Sequence, residues 1–169
     1  MTPVKSETST FDAPRFPVVG WREWVKLPLL SSSALKVKVD TGATTSALHA
    51  EELQIDHDDN GLAHASFWLH PGQDPEEAVR VQQEPVVGFR FVRSSSGHGS
   101  YRPVIRTKVA LGNELFLTDI TLADRDPMGF RMLLGRRALR DRFHVDPSRS
   151  FLQGGLKQSP AKLAIVRSS

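Results

Sequence analysis

The residues with the strongest claim to chemistry centre on one carboxylate, Asp40, in the run Lys38-Val39-Asp40-Thr41-Gly42-Ala43. Leu35, Val37 and Val39 alternate with Lys36 and Lys38, so a strand carries the chain to Asp40 and a tight turn follows. Gly42 lets the backbone approach a neighbouring element closely, where a side chain would clash. Backbone N–H groups of the turn, and the Thr44 or Thr45 hydroxyl, can donate to the carboxylate and hold its geometry. Thr41 offers a hydroxyl to a facing loop. A carboxylate held this way suits acid–base work on a bound water.

One carboxylate is not enough for that work. Hydrolysis of an amide by water needs a base for the water and an acid for the carbonyl oxygen. Two aspartates about 3 Å apart supply both, because they cannot both ionise and so share a proton. The Asp-Thr-Gly motif occurs once in this chain. Its second copy would therefore come from a second subunit through a two-fold contact, which makes a homodimer a consequence of the mechanism.

Taken alone, the motif is weak, arising by chance in roughly one or two of every hundred chains of this length. An ordinary structural turn would explain it. A second element follows in Arg131-Met132-Leu133-Leu134-Gly135-Arg136, which reads as a short apolar strand, a glycine and the start of a helix. Arg136 to Phe143, with Ala138, Leu139 and Phe143 as its apolar positions, is the only segment that reads as helix.

The elements that must position these residues are mostly strands. Trp21 to Leu27, Ala63 to His70, Val86 to Val92, Tyr101 to Leu111 and Leu115 to Leu122 each carry an apolar or alternating pattern. Turn signals separate them at Asp59-Asn60-Gly61, His70-Pro71-Gly72, Ser94 to Ser100, Leu111-Gly112-Asn113 and Asp126-Pro127. Short strands with this punctuation predict an all-β barrel rather than a parallel α/β sheet. The 169 residues suffice for one sizeable core, assigned to residues 15–153, with peripheral flexible segments at 1–14 and 154–169.

Composition narrows the function classes. There is no cysteine, hence no disulfide or thiol nucleophile, which suits a reducing cytoplasm. No apolar run is long enough to span a bilayer, and Met1 to Pro14 has no signal-peptide core. From Glu51 to Glu84 there are nine acids and one base, Arg80, whereas Gly88 to Ala110 holds five bases (Arg90, Arg93, Arg102, Arg106, Lys108) and no acid. That polarity could steer an acidic ligand to the second segment, or be two solvated surfaces of opposite sign. No nucleic-acid recognition motif accompanies the bases. His49 and His57 with Asp56, Asp58 or Asp59 could be drawn together as a zinc site, but solvated loops explain them better. Neither H-E-x-x-H nor a phosphate-binding glycine loop is present, so no cofactor or metal is expected.

The motifs together carry a family resemblance. Gly20-Trp21-Arg22-Glu23-Trp24-Val25-Lys26-Leu27-Pro28, then Lys36 to Ala43, Thr45 to Ala50, Arg93 to Gly97, Arg102-Pro103-Val104-Ile105, Leu122 to Arg125 with Met128, Phe130 to Arg137 and Phe143 to Pro147 occur in order. They resemble a microbial family named for ATP-dependent zinc proteases, which is itself similar to the retropepsins. The resemblance covers about residues 19–153. It departs at Gly97-His98-Gly99-Ser100-Tyr101, where an acidic residue is expected.

The resemblance implies a closed retropepsin-like barrel with one short C-terminal helix. It also implies an aspartic endopeptidase with Asp40 catalytic and Thr41, Gly42, Ala43, Leu133, Leu134 and Gly135 supporting its loop. The Ser94 to Ser100 hairpin falls where retropepsins carry a mobile flap, and Arg93 and Arg102 could pair with a substrate carboxylate. The implied partners are a peptide or protein substrate, a second copy of the chain, and a ribosomal protein of the small subunit modified by glutamate ligases, whose acidic tail would be trimmed. A barrel of this kind that never dimerises would instead serve as a binding or adaptor module.

Overall fold

In the computed structural model, residues 15–72, 74–93, 96–124 and 129–154 are described. The end segments 1–14 and 155–169, Ser94 and Ser95 of the hairpin tip, and 125–128 with the Asp126-Pro127 turn lie outside them. The fold is all-β, as expected. Its strands are β1 (Val18–Gly20), β2 (Arg22–Lys26), β3 (Ala34–Asp40), β4 (Ser46–His49), β5 (Glu51–His57), β6 (Ala63–Leu69), β7 (Val79–Arg93), β8 (Gly99–Leu111), β9 (Glu114–Ala123), β10 (Met132–Gly135) and β11 (His144–Asp146). Helix α1 (Arg136–Leu139) is a single turn, and a 3-10 turn covers Pro75–Glu77.

Nine strands form one sheet in the order β2-β3-β10-β4-β9-β8-β7-β6-β5, while β1 and β11 pair separately and in parallel. The sheet curls until β2 meets β8, closing a ring through β3, β10, β4 and β9 along one register pair, Lys26 with Ala110. Strands β7 and β8 project from the ring as a long hairpin, and β6 and β5 continue the sheet beyond it. The acidic segment Glu51 to Glu84 thus occupies β5, β6, the 3-10 turn and the first residues of β7.

Alternation decides which faces turn inward. Leu35, Val37 and Val39 of β3 are buried, as are Ile105 and Val109 of β8 and Ile120 and Leu122 of β9. They meet Met132 and Leu134 of β10 in one core with Ala138, Leu139 and Phe143. The predicted helix is shorter than Arg136 to Phe143. It ends after Leu139 because Asp141 adopts a left-handed φ of 62°, and Phe143 N–H folds back to the Leu139 carbonyl at 3.0 Å. Phe143 still reaches the core, through that turn rather than through a helix face.

One buried polar group ties the first and last parts of the described residues together. Glu23 is fully buried on β2, and its Oε1 accepts from the N–H groups of Gly20 (2.8 Å) and Leu152 (2.8 Å). The Gln153 N–H lies 3.4 Å from Oε2. Nearby, Trp24 stacks on Phe151 and Arg22 lies over the Phe151 ring, so segment 149–153 is sealed against β2.

Removing the Glu23 carboxylate would strand these amides in a dry environment. Glu23→Ala is therefore expected to cost about 3 kcal/mol of unfolding free energy. Urea melts followed by tryptophan fluorescence check it, and a midpoint equal to wild type would remove the clasp from the account of stability.

Candidate active site

The site is built around β10, a short apolar strand inserted between β3 and β4. It runs parallel to β3, pairing Leu133 with Lys38, Leu134 with Val39 and Gly135 with Asp40. Against β4 it is antiparallel, with Met132 opposite Leu48 and Leu133 opposite Ala47. The Asp40–Thr45 turn, which joins β3 to β4, must therefore wrap around the end of β10.

Gly135 makes that wrapping feasible. A Cβ there would lie 2.6 Å from both the carbonyl carbon and the oxygen of Thr45 and 3.0 Å from Ser46 N. Its φ of −89° is open to any residue, so close approach alone demands glycine. Its N–H donates to Ser46 Oγ at 3.1 Å, and Thr121 Oγ1 of β9 donates to the Ser46 carbonyl at 3.1 Å. The next two amides donate to the turn, Arg136 N–H to the Ala43 carbonyl at 2.8 Å and Arg137 N–H to the Thr44 carbonyl at 3.1 Å.

The Arg136 side chain completes the hold. Its guanidinium donates to the carbonyls of Thr41 (2.9 Å) and Gly42 (3.1 Å) and to Thr44 Oγ1 (3.1 Å). Three turn carbonyls and hydroxyls thus converge on one planar fork, a geometry that a lysine ammonium does not reproduce.

Within the turn, Asp40 is half-buried. Its Oδ1 accepts from the N–H groups of Gly42 (2.9 Å) and Ala43 (3.2 Å), while Oδ2 accepts no hydrogen bond among the described residues. Two details differ from the sequence reading. The carboxylate is held by amides alone, because the Thr44 hydroxyl points to Arg136. A Cβ at Gly42 would meet Asp40 Oδ1 at 3.1 Å, so its crowding partner is the turn's own carboxylate rather than a neighbouring element.

The structure thus gathers Asp40, Thr41, Gly42 and Ala43 with Leu133, Leu134 and Gly135 into one cluster. Leu134 is fully buried and anchors it to the core. Arg93 and Arg102 lie elsewhere, on the β7–β8 hairpin, where Arg93 pairs with Gly99 and Arg102 with Arg90. Neither hairpin strand is paired with β3 or β10. The hairpin exposes Val87, Phe89, Phe91 and Tyr101; Phe91 packs edge-on against Tyr101 and covers Gly99. Gly97 near its tip takes a left-handed φ of 85°.

Beside the turn lies a pocket of about 480 Å³, lined by Thr41, Thr44, Arg136, Arg137, Leu139, Arg140, Phe143 and Val145. Further along, the Arg106 fork grips Asp119 with Nε to Oδ1 at 2.7 Å and Nη2 to Oδ2 at 3.2 Å. That hydrogen bond, aided by the charges of Arg106, Arg90 and Arg137, holds the Asp119 carboxyl below the usual carboxylate range. His49 is buried at the end of β4, whereas His57 and Asp58 are exposed at the far end of β5. Among the described residues, no three His, Asp or Glu side chains are grouped as metal ligands would be. No helix among them is long and apolar enough to cross a membrane.

Sequence reading alone missed Arg136 and Ser46. Both stood inside conspicuous motifs, but their roles depend on β10 lying between β3 and β4, a contact between residues some ninety positions apart.

Comparison with known proteins identifies the family and the fold. Residues 18–155 match a family described as "RimB-like: Retropepsin-like aspartic endopeptidase RimB". A probable alpha-L-glutamate ligase of Parasynechococcus marenigrum is 42% identical over 141 residues, covering 83% of this chain and 30% of that protein. One from Desulfotalea psychrophila is 41% identical over 131 residues, covering 78% of this chain and 28% of that protein. The chain therefore spans about three-tenths of the length of these relatives. A crystal structure of a Legionella pneumophila protein of unknown function shares the fold. Its TM-score is 0.65 at 24% identity, with 81% of this chain and 98% of that one covered.

The close approach at Gly135 gives a direct test. Gly135→Ala must push β10 away from Thr45, at a cost of about 1–3 kcal/mol, and displace the Asp40 turn. A lowered melting temperature in calorimetry is the expected outcome, with broadened amide resonances of residues 41–45 in an NMR spectrum. A variant with unchanged melting and unchanged turn resonances would show that the turn does not depend on this contact.

Proposed function

Since the chain belongs to the RimB-like family of retropepsin-like aspartic endopeptidases, we propose that it hydrolyses peptide bonds with a water activated by two Asp40 carboxylates, one from each subunit of a homodimer. The observation that carries this reading is the state of Asp40. It stands at a strand end, with Oδ1 fixed by two amides and Oδ2 left open, on a turn clamped by Gly135 and Arg136. The clamped turn sets the direction of the carboxylate and leaves one of its oxygens without a donor among the described residues. Thr41 and Gly42 beside it are exposed, which suits a two-fold contact between turns.

In that arrangement one carboxylate is ionised and takes a proton from water as the oxygen attacks the amide carbon. The other is protonated and donates to the carbonyl oxygen. Collapse of the tetrahedral intermediate returns a proton to the leaving amine. The exposed aromatic face of the β7–β8 hairpin suits a lid over bound peptide, and Arg93 and Arg102 would meet substrate carboxylates there.

Glutamate-rich tails are the proposed substrate class, and the cytoplasm the proposed site of action. The support is the domain's recurrence within relatives named glutamate ligases, together with the basic residues of β7 and β8. The same recurrence favours one second reading, in which the domain recruits acidic tails for a ligase without cleaving them. A small-subunit ribosomal protein carrying ligated glutamates fits either role.

Cleavage of labelled acidic peptides by wild type and Asp40→Asn, at acidic and neutral pH, separates the two. The substitution is expected to lower kcat by about 10²–10⁴-fold while binding persists, and a chelator is expected to leave wild-type activity intact. Equal activity of the two proteins excludes the aspartic mechanism, and loss on chelation alone points to a metal. Sedimentation of the active species should give twice the chain mass; an active monomer would exclude the shared dyad.

A further inference from the structure

The pocket beside the candidate catalytic turn has an uneven chemistry. Its walls carry three guanidinium groups, from Arg136, Arg137 and Arg140, and two threonines, with Leu139, Phe143 and Val145 as apolar surface. No acidic side chain lines it. The three arginines are not equivalent. Arg136 spends its donors on Thr41, Gly42 and Thr44 and so belongs to the wall. Arg137 makes no side-chain hydrogen bond among the described residues; its charge reaches Asp119, but that carboxylate is gripped by Arg106. Among the described residues Arg140 is ion-paired with its sequence neighbour Asp141, with 3.9 Å between Nε and Oδ2 and side-chain exposures of 78% and 87%. A pair so exposed contributes little and does not hold the arginine.

We propose that Arg137 and Arg140 form a carboxylate-recognition subsite, which takes a glutamate or aspartate side chain of the substrate next to the bond presented to Asp40. The position is suggested by the lining: Thr41 and Thr44 belong both to the pocket and to the Asp40 turn, although Asp40 itself does not line it. The chemistry follows from two forks that no side-chain hydrogen bond among the described residues occupies, and which match a carboxylate bidentately. Leu139, Phe143 and Val145 match the methylene stem of a glutamate. This assignment rests on the reading of Asp40 as the site's carboxylate and of the substrates as acidic. It stands beside the pairing proposed for Arg93 and Arg102 on the hairpin, and carries the larger share of the preference for acidic substrate.

Binding can be measured without turnover, so the subsite is testable apart from catalysis. Asp40→Asn protein is titrated into a fluorescein-labelled peptide ending in six glutamates and into its six-glutamine counterpart, with anisotropy as the readout. The acidic peptide is expected to bind at least tenfold tighter. Adding Arg137→Gln and Arg140→Gln should erase that preference and leave glutamine-peptide affinity unchanged, whereas Arg93→Gln with Arg102→Gln should keep most of it. Three results would overturn the subsite: equal affinity for both peptides, a preference that survives the Arg137 and Arg140 exchanges, or equally tight binding of a single-stranded oligonucleotide of matched charge. Failure of Asp40 as the catalytic group shows separately, as equal cleavage by wild type and Asp40→Asn.

Discussion

Strand β10 ends between β3 and β4 at Gly135, with the Thr45–Ser46 backbone too near for any Cβ. That contact allows a parallel partner on one side and an antiparallel one on the other, and forces the connecting turn to pass around the strand's tip. The turn then finds donors waiting for it: two successive amides from the start of α1 and the Arg136 fork. Each such bond contributes only about 1 kcal/mol net. Their joint effect is geometric. They fix four consecutive residues, Thr41 to Thr44, relative to the core through Leu134, so the Asp40 carboxylate inherits the rigidity of the buried sheet although the turn itself is exposed.

Two carboxylates, one buried and one half-buried, are held by backbone amides rather than by opposite charge. Glu23 is surrounded by amides of Gly20, Leu152 and Gln153, and Asp40 by those of Gly42 and Ala43. Amide donors offset the desolvation of a carboxylate without introducing a cation that would need its own partner. In Glu23 both oxygens face donors, and the result is a clasp between the ends of the described domain. In Asp40 only one oxygen does. The difference separates a structural carboxylate from one able to exchange a proton.

Much of the fold was legible because alternation survives wherever one face is buried. β3, β6, β8 and β9 lie within a residue or two of where periodicity put them. β4 escaped notice because its four residues, Ser46-Ala47-Leu48-His49, are too few to show a period and three of them are buried. β5 is an acidic outer strand with exposure on both faces and a register shift between Glu51 and Gln54, so no pattern marks it. β1 and β11 pair only with each other, across more than a hundred residues. The helix was overextended because composition cannot reveal that Asp141 takes a left-handed φ. At the site, the motif residues were legible and their hydrogen bonds were not. Asp-Thr-Gly names the carboxylate, but the choice of amides over threonine hydroxyls depends on where Arg136 reaches.

The division of labour within the site bears on why one chain carries a single motif. Positioning is solved wholly inside the subunit: strand, glycine, arginine fork and turn are all present, and none needs a second copy to close its hydrogen bonds. On the proposed reading chemistry is not, because one carboxylate cannot be acid and base in the same step. On the proposed reading, dimerisation therefore adds only the facing carboxylate and leaves each turn as it stands. A rigid half-site lowers the cost of such an association, since little remains to be ordered when two copies meet. The exposure of Thr41 and Gly42, unexpected for a part held so firmly, then has a physical reason: the turn is rigid on the side facing β10 and open on the side where the second carboxylate would come.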